Sequence, residues 1–121
     1  MVVLPDGTQV KTADYIGPAK KGRVLAILGD TRPCQASVDL ALNADILVHE
    51  GTFAQDKEEG ANEFGHSSAR QAAEIAKAAH VNKLILTHIS SRYQETDELL
   101  KEAQGVFPET VIAEDFWSYV F

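Results

Sequence analysis

The chain has 121 residues, of which 45% are hydrophobic and 24% are charged. This composition is typical of one folded globular domain over residues 1–121 and excludes a disordered or fibrous chain. The sequence contains neither a signal segment nor a run near the roughly 18 apolar residues of a membrane span, so we expect no membrane partner. Its one cysteine, Cys34, is typical of a reducing compartment and predicts a cytoplasmic protein, with the thiol buried as a small apolar group.

The net charge of −7 is unevenly distributed. Residues 1–32 hold five basic and three acidic side chains, whereas residues 33–121 hold six and fifteen. Strong acidity disfavours a surface that follows a nucleic-acid backbone, because phosphate contacts need clustered lysine and arginine. The local excess around Lys20 and Lys21 still permits one small phosphate-contacting loop, although a solvated loop is the favoured explanation of these lysines.

Residues 1–22 predict a hairpin that turns at Asp6-Gly7, followed by a basic loop. Residues 23–121 then alternate short apolar runs with helical patterns. The runs are apolar at successive positions, which predicts strands buried on both faces: 23–28, 45–48, 83–87 and 110–113.

Three helices are expected between these strands. The first begins with Pro33 as its N1 residue, the second begins at Ser67 or Ser68, and the third follows an N-cap at Thr96 and stops at Gly105. Ser68 and Gln71 have the spacing of a capping box. The resulting order, βαβαβαβ, predicts an α/β fold whose crossover helices join mostly parallel strands.

The predicted strands end in residues whose side chains can bind metal ions or transfer protons. Asp30 follows the first strand, His49 and Glu50 follow the second, and His88 follows the third. Since ligands of open α/β sheets bind outside the carboxyl ends of the strands, we expect these side chains to converge. Carboxylate and imidazole together suit zinc, manganese or iron.

His66, Ser67 and Ser68 stand at the start of the second predicted helix, where free amides and the helix dipole favour an anion. This position predicts that His66 meets a phosphate. The structural alternative is a histidine that is bonded to a backbone carbonyl. His80, at the far end of the same helix, is given no function.

Four blocks of the sequence resemble the C-terminal half of ribonuclease Z, a metallo-β-lactamase-fold endonuclease family that removes the 3′ trailer of precursor tRNA. The blocks are GPAKKGRVLAILGDTRP, ILVHEGTF, FGHSSARQAAEIA and LILTHISSRY. The resemblance implies half of an αββα sandwich, a site of two zinc ions or other divalent metals, and precursor tRNA as substrate.

The resemblance also implies a role for each matching residue. Asp30 and His88 are similar to metal ligands, and His66 to the histidine that protonates the leaving 3′ oxygen. His49 and Glu50 are similar to residues that orient His66 or a ligand. Substrate contacts are implied for Lys20, Ser67 and Ser68.

The nucleophile-activating block of the family, His-x-His-x-Asp-His, does not occur in these 121 residues. We therefore expect a fragment with two of seven metal ligands and no catalysis by itself. Because right-handed crossovers would place all three helices on one side of the sheet, we also expect an apolar open face through which the chain self-associates.

Two other functions remain open at this point. Another metallo-β-lactamase-fold hydrolase, such as a phosphodiesterase or lactonase, would share the strand-end aspartate and histidine. A non-catalytic signalling module of receiver type has this length, but it needs an acidic pair after the first strand and a lysine after the last. The last strand here leads into Glu114 and Asp115.

Overall fold

The chain begins with an antiparallel hairpin. In the computed structural model, which describes residues 1–121, β1 (Val2–Val3) pairs with β2 (Gln9–Val10). Gly7 lies between them with φ of 85°, a left-handed conformation that glycine adopts without steric cost. The hairpin and its turn at Asp6-Gly7 are therefore as predicted. A 3₁₀ turn at Thr12–Asp14 leads into an exposed loop.

Four parallel strands form the main sheet, and their order in space follows their order in the chain. They are β3 (Leu25–Ile27), β4 (Ile46–Glu50), β5 (Lys83–Thr87) and β6 (Thr110–Ile112). Short apolar segments alternating with helices produce this topology, because a parallel neighbour requires a crossover connection. The predicted α/β class is confirmed.

Four helices accompany the sheet: α1 (Gln35–Ala41), α2 (Glu58–Glu63), α3 (Ala69–Ala78) and α4 (Asp97–Val106). Three of them join successive strands as predicted. Helix α2 was not predicted; it has six residues with a glycine among them and follows a 3₁₀ turn at Gln55–Lys57. None of the helices combines the length and apolar composition that a bilayer crossing requires.

Several predicted boundaries shift. Strand β3 is shorter than 23–28, since the Val24 amide donates to the Asp45 carboxylate at 2.7 Å. Strand β4 is longer than 45–48 and includes His49 and Glu50 within the sheet. Gly105 does not stop α4, which continues to Val106 and ends before Pro108.

Helix α1 begins at Gln35, so Pro33 is not its N1 residue. The N-cap is Cys34, whose backbone is extended with φ of −152° and ψ of 160°. The expectation that Cys34 is buried is wrong, because the residue is exposed. Its Sγ lies 3.2 Å from the Ser37 hydroxyl, and this hydrogen bond holds the pKa of the thiol below its usual value.

The start of α3 confirms the predicted capping box. The Ser68 hydroxyl accepts from the Gln71 amide, and the Gln71 side chain accepts from the Ser68 amide, each at 3.0 Å. Ser68 also donates its hydroxyl to Glu58 at 2.7 Å. Glu58 receives two further hydrogen bonds from the guanidinium of Arg70, so an ion pair connects α2 to α3.

The core lies between one face of the sheet and the helices. Leu47, Leu84 and Leu86 point to this face and are 0% exposed. Helix α3 presents alanines to them, which lets the helix approach the sheet closely. A Cβ at Gly51, just after β4, would lie 3.2 Å from the Ala69 Cα, so a side chain there would push the helix and the strand apart by a few tenths of an ångström.

The opposite face has no helices. Leu25 and Ile27, which point to it from β3, remain 47% and 64% exposed. Near the beginning of the strands the C-terminal residues cover part of this face, where the Tyr119 ring lies 5.0 Å from the Lys83 Nζ. The face therefore stays open at β3 and is partly covered at β5.

Candidate functional site

Three of the predicted residues meet at the carboxyl ends of the strands. Asp30 follows β3, His88 follows β5, and His66 stands in the loop before α3. Each offers one ligand atom, and these atoms lie within 4.8 Å of one another. The rings of His66 and His88 stack with centroids 5.3 Å apart and planes inclined by 17°. Of the residues expected to converge from the strand ends, Asp30 and His88 meet in this cluster, and His66 joins them from the loop before α3.

Glu50 lies beneath this cluster and is 1% exposed. Its carboxylate accepts hydrogen bonds from Nδ1 of His66 and from the Thr31 amide, each at 2.9 Å, and from the Thr52 hydroxyl. Burial alone would raise the pKa of Glu50, but these hydrogen bonds outweigh it and hold the pKa below its usual value. Glu50 is therefore a carboxylate at neutral pH, and it fixes the His66 ring.

His88 is held in a similar way by Thr52. The Thr52 hydroxyl lies 2.9 Å from Nδ1 of His88, and it gives its own proton to Glu50. Nδ1 of His88 must then be the donor to Thr52. His88 also has φ of 56°, a strained conformation for a residue with a Cβ, and such strain is often found at functional sites.

Both histidines thus present Nε2 to the cluster, because each Nδ1 carries a proton that is bonded within the protein. A histidine that donates one ring N–H to a carboxylate or hydroxyl and leaves the other nitrogen free is the usual form of a metal ligand. Asp30 adds a carboxylate that is 60% exposed and lies 3.7 Å from Nε2 of His88. The donor set suits zinc or a similar divalent ion.

His49 does not join the cluster. It is 0% exposed and points to the helix-covered face, since alternate residues of a strand face opposite sides. Its Nδ1 lies 2.7 Å from the Glu50 carbonyl oxygen, and its Nε2 has no hydrogen-bond partner. Burial lowers the pKa of His49, so the ring stays neutral. The contact of His49 with Glu50 is therefore a hydrogen bond to the Glu50 backbone and does not involve the Glu50 carboxylate.

The residues expected to contact substrate lie in different surroundings. Ser67 is buried and donates its hydroxyl to the Thr31 carbonyl oxygen at 2.6 Å. The hydroxyl and the amide of Ser68 are both used in capping α3. Lys20 stands in the exposed loop before β3 and forms no ion pair.

Sequence reasoning missed part of the site. The Thr31 amide supports Glu50, and this contact depends on a loop conformation that has no periodic pattern. A groove beside His66 is also unexpected, with Phe64 and Arg92 on its walls. Arg92 occurs in the block LILTHISSRY, so its position close to His88 in the sequence could have predicted that it lies near the site.

The parallel sheet with its strand-end cluster defines a class of protein. A family model described as a beta-lactamase superfamily domain matches residues 7–89, and the chain belongs to this superfamily. The metallo-beta-lactamase fold protein YhfI from Bacillus subtilis superposes with a TM-score of 0.69 at 31% identity, over 76% of this chain and 37% of that one.

Particular relatives are similar over almost the whole chain. It is 52% identical over 120 residues to ribonuclease Z of Bacillus licheniformis and 54% identical over 121 residues to ribonuclease Z of Bacillus mycoides. Human tRNase Z, short form, superposes with a TM-score of 0.62 at 37% identity, over 79% of this chain and 32% of that one. The resemblance to ribonuclease Z is confirmed, and the chain spans 39% of the length of these curated relatives.

Proposed function

We propose that this chain is the C-terminal part of a metal-dependent endoribonuclease that removes the 3′ trailer of precursor tRNA in the cytoplasm. The observation that carries the proposal is the pair His66 and His88, each held at Nδ1 by a hydrogen bond within the chain and each with a ligand atom within 4.8 Å of that of Asp30. The similarity to ribonuclease Z supports RNA as the substrate.

Asp30 and His88 are the proposed ligands of a two-zinc site whose other ligands lie outside these 121 residues. Zinc bound there would polarise the phosphodiester and supply hydroxide as nucleophile. The chain itself contributes the orientation of the ligands, because the hydrogen bond from His88 to Thr52 fixes the imidazole of His88 before a metal binds. Two ligands are fewer than the three protein groups of a catalytic zinc site, so the isolated chain should bind zinc weakly and cleave nothing.

His66 is the proposed proton donor to the leaving 3′ oxygen. Glu50 holds its Nδ1–H at 2.9 Å, so the opposite nitrogen faces the cluster and can carry the transferred proton. His49 supports Glu50 through the backbone. Lys20 would contact the substrate through its charge, whereas Ser67 and Ser68 would act by shaping the loop around His66, because their hydroxyls are already bonded.

The test uses a complete enzyme that contains this segment, with precursor tRNA as substrate. His66→Ala should lower the turnover rate about 10²- to 10⁴-fold and leave the metal content nearly unchanged, as for a lost general acid. Asp30→Ala should remove both metal and activity. Elemental analysis of the purified variants separates the two roles.

Two results would contradict this assignment. Loss of metal in the His66 variant would make His66 a ligand instead of a proton donor. Cleavage of a small phosphodiester without cleavage of precursor tRNA would indicate a general phosphodiesterase.

A further inference from the structure

A groove of about 610 Å³ opens beside His66, outside the cluster of Asp30 and His88. One wall is α2 with the residues that follow it, and Arg92 lies on the other side. Because His66 also lines the groove, a molecule in it would lie next to the group bonded at the strand-end cluster. Its lining includes Phe53, Asp56, Glu59, Glu63, Phe64 and Arg92.

The groove contains an unusual aromatic side chain. Phe64 is 80% exposed although it lies two residues from His66. Phe64 is the C-cap residue of α2, and Gly65 follows with φ of 81°, so the chain turns directly after the ring. A large exposed ring in a groove offers a stacking surface for a flat ligand.

Arg92 supplies a fixed positive charge. Its guanidinium carbon lies 5.3 Å from the centre of the Phe53 ring, a cation–π contact that restricts the side chain. Arg92 forms no salt bridge with a carboxylate of the protein. Its hydrogen-bond donors therefore remain available to a phosphate.

The remaining charges limit how much nucleic acid the groove can take. The side chains of Asp56, Glu59 and Glu63 line it, and with Lys57 and Arg92 they leave an acidic surface. Such a surface repels a run of phosphates. It accepts hydrogen bonds from the hydroxyls of a ribose, which distinguish RNA from DNA.

We propose that this groove binds one unpaired ribonucleotide adjacent to the phosphodiester at His66. Its base stacks on Phe64, its phosphate binds Arg92, and its ribose hydroxyls donate to the acidic wall. The choice of RNA rests on the proposed function. The nucleotide is held by stacking, so the groove is tolerant of base identity.

Binding of adenosine 5′-monophosphate to the isotopically labelled 121-residue chain tests the proposal by NMR titration. We expect saturable shifts of the Gly60 and Gly65 amides at millimolar nucleotide. Phe64→Ala should weaken binding about tenfold, the loss expected for one stacked base. Phe116→Ala is the matched control, because Phe116 is an exposed phenylalanine that does not line the groove.

Two further probes separate the contacts. Arg92→Gln should remove the preference for the monophosphate over adenosine, and the deoxyribonucleotide should bind more weakly than the ribonucleotide. Inorganic phosphate alone should not shift the Gly60 amide. Absence of saturable binding, or equal binding by the Phe64 and Phe116 variants, would overturn the proposal.

This experiment is independent of catalysis. A complete enzyme that fails to cleave precursor tRNA would refute the proposed function and leave nucleotide binding in the groove intact. Conversely, cleavage of tRNA by a complete enzyme whose Phe64→Ala variant is unchanged in KM and in nucleotide binding would refute the groove alone.

Discussion

The two faces of the four-stranded sheet differ sharply in how they are completed. On one face the helices leave Leu47, Leu84 and Leu86 without solvent contact, whereas on the other Leu25 and Ile27 are about half exposed or more. The strand-end cluster lies at the edge between these faces, and its histidines are held from within the chain by Glu50 and Thr52. Residues of this chain are therefore sufficient to build the core and to orient the histidines. The open face, in contrast, can be buried only against a second surface.

The largest expected effect compares one apolar residue from each face. Leu47→Ala should destabilise the chain by about 2–5 kcal/mol, because it leaves a cavity in a packed core. Ile27→Ala should cost well under half as much, since Ile27 is 64% exposed. Urea unfolding of both variants, at a concentration where sedimentation shows a monomer, measures the difference. Equal losses there would mean that Ile27 is packed within a single chain.

The ion pair between α2 and α3 gives a smaller effect on the covered side. Removing the charge with Glu58→Gln should cost about 1.5–2 kcal/mol, since Glu58 accepts two hydrogen bonds from Arg70 and one from Ser68. Glu74→Gln is the control, because Glu74 pairs with Arg70 from an exposed position. Chemical unfolding at neutral pH should separate the two variants.

The same ion pair predicts a pH dependence. Burial opposes ionisation of Glu58, but its bonds to Arg70 and Ser68 hold its pKa below the ordinary value of 4.5. As the pH falls, Glu58 is therefore protonated in the unfolded chain before it is protonated in the folded chain. The contribution of the ionised Glu58 to the free energy of unfolding is present above pH 4.5 and is lost as the pH falls through the lower pKa of the folded state. Glu58→Gln should flatten this part of the stability profile; an unchanged slope would contradict the assignment.

Self-association tests what the open face does. We expect the chain to form a two-fold dimer through this face, because Leu25 and Ile27 leave apolar surface uncovered there and such surface is an association site. Ile27→Glu should weaken the dimer about tenfold, or ~1.4 kcal/mol, whereas Leu40→Glu on α1, at 62% exposure, should not. Sedimentation of both variants checks this. A monodisperse monomer at tens of micromolar would contradict the prediction.

The alternation of apolar runs and helices was sufficient to predict the sheet, and its strand ends were sufficient to place Asp30 and His88 at one edge. The strand ends did not predict that His66 joins them, since His66 lies before a helix. The short helix α2 was missed, because six residues with a glycine have no clear helical period. The support of Glu50 by the Thr31 amide was missed as well, since it depends on loop geometry. The resemblance to ribonuclease Z supplied residue roles that spacing alone did not.

The central claim is that Glu50 and Thr52 orient both histidines before any metal binds. A two-bond ¹H–¹⁵N correlation spectrum of the metal-free chain, at a pH where the imidazoles are neutral, tests it directly. We predict that His66 and His88 are both protonated at Nδ1, and that Thr52→Val releases His88 alone. Protonation of either ring at Nε2 in the unaltered chain would contradict the claim.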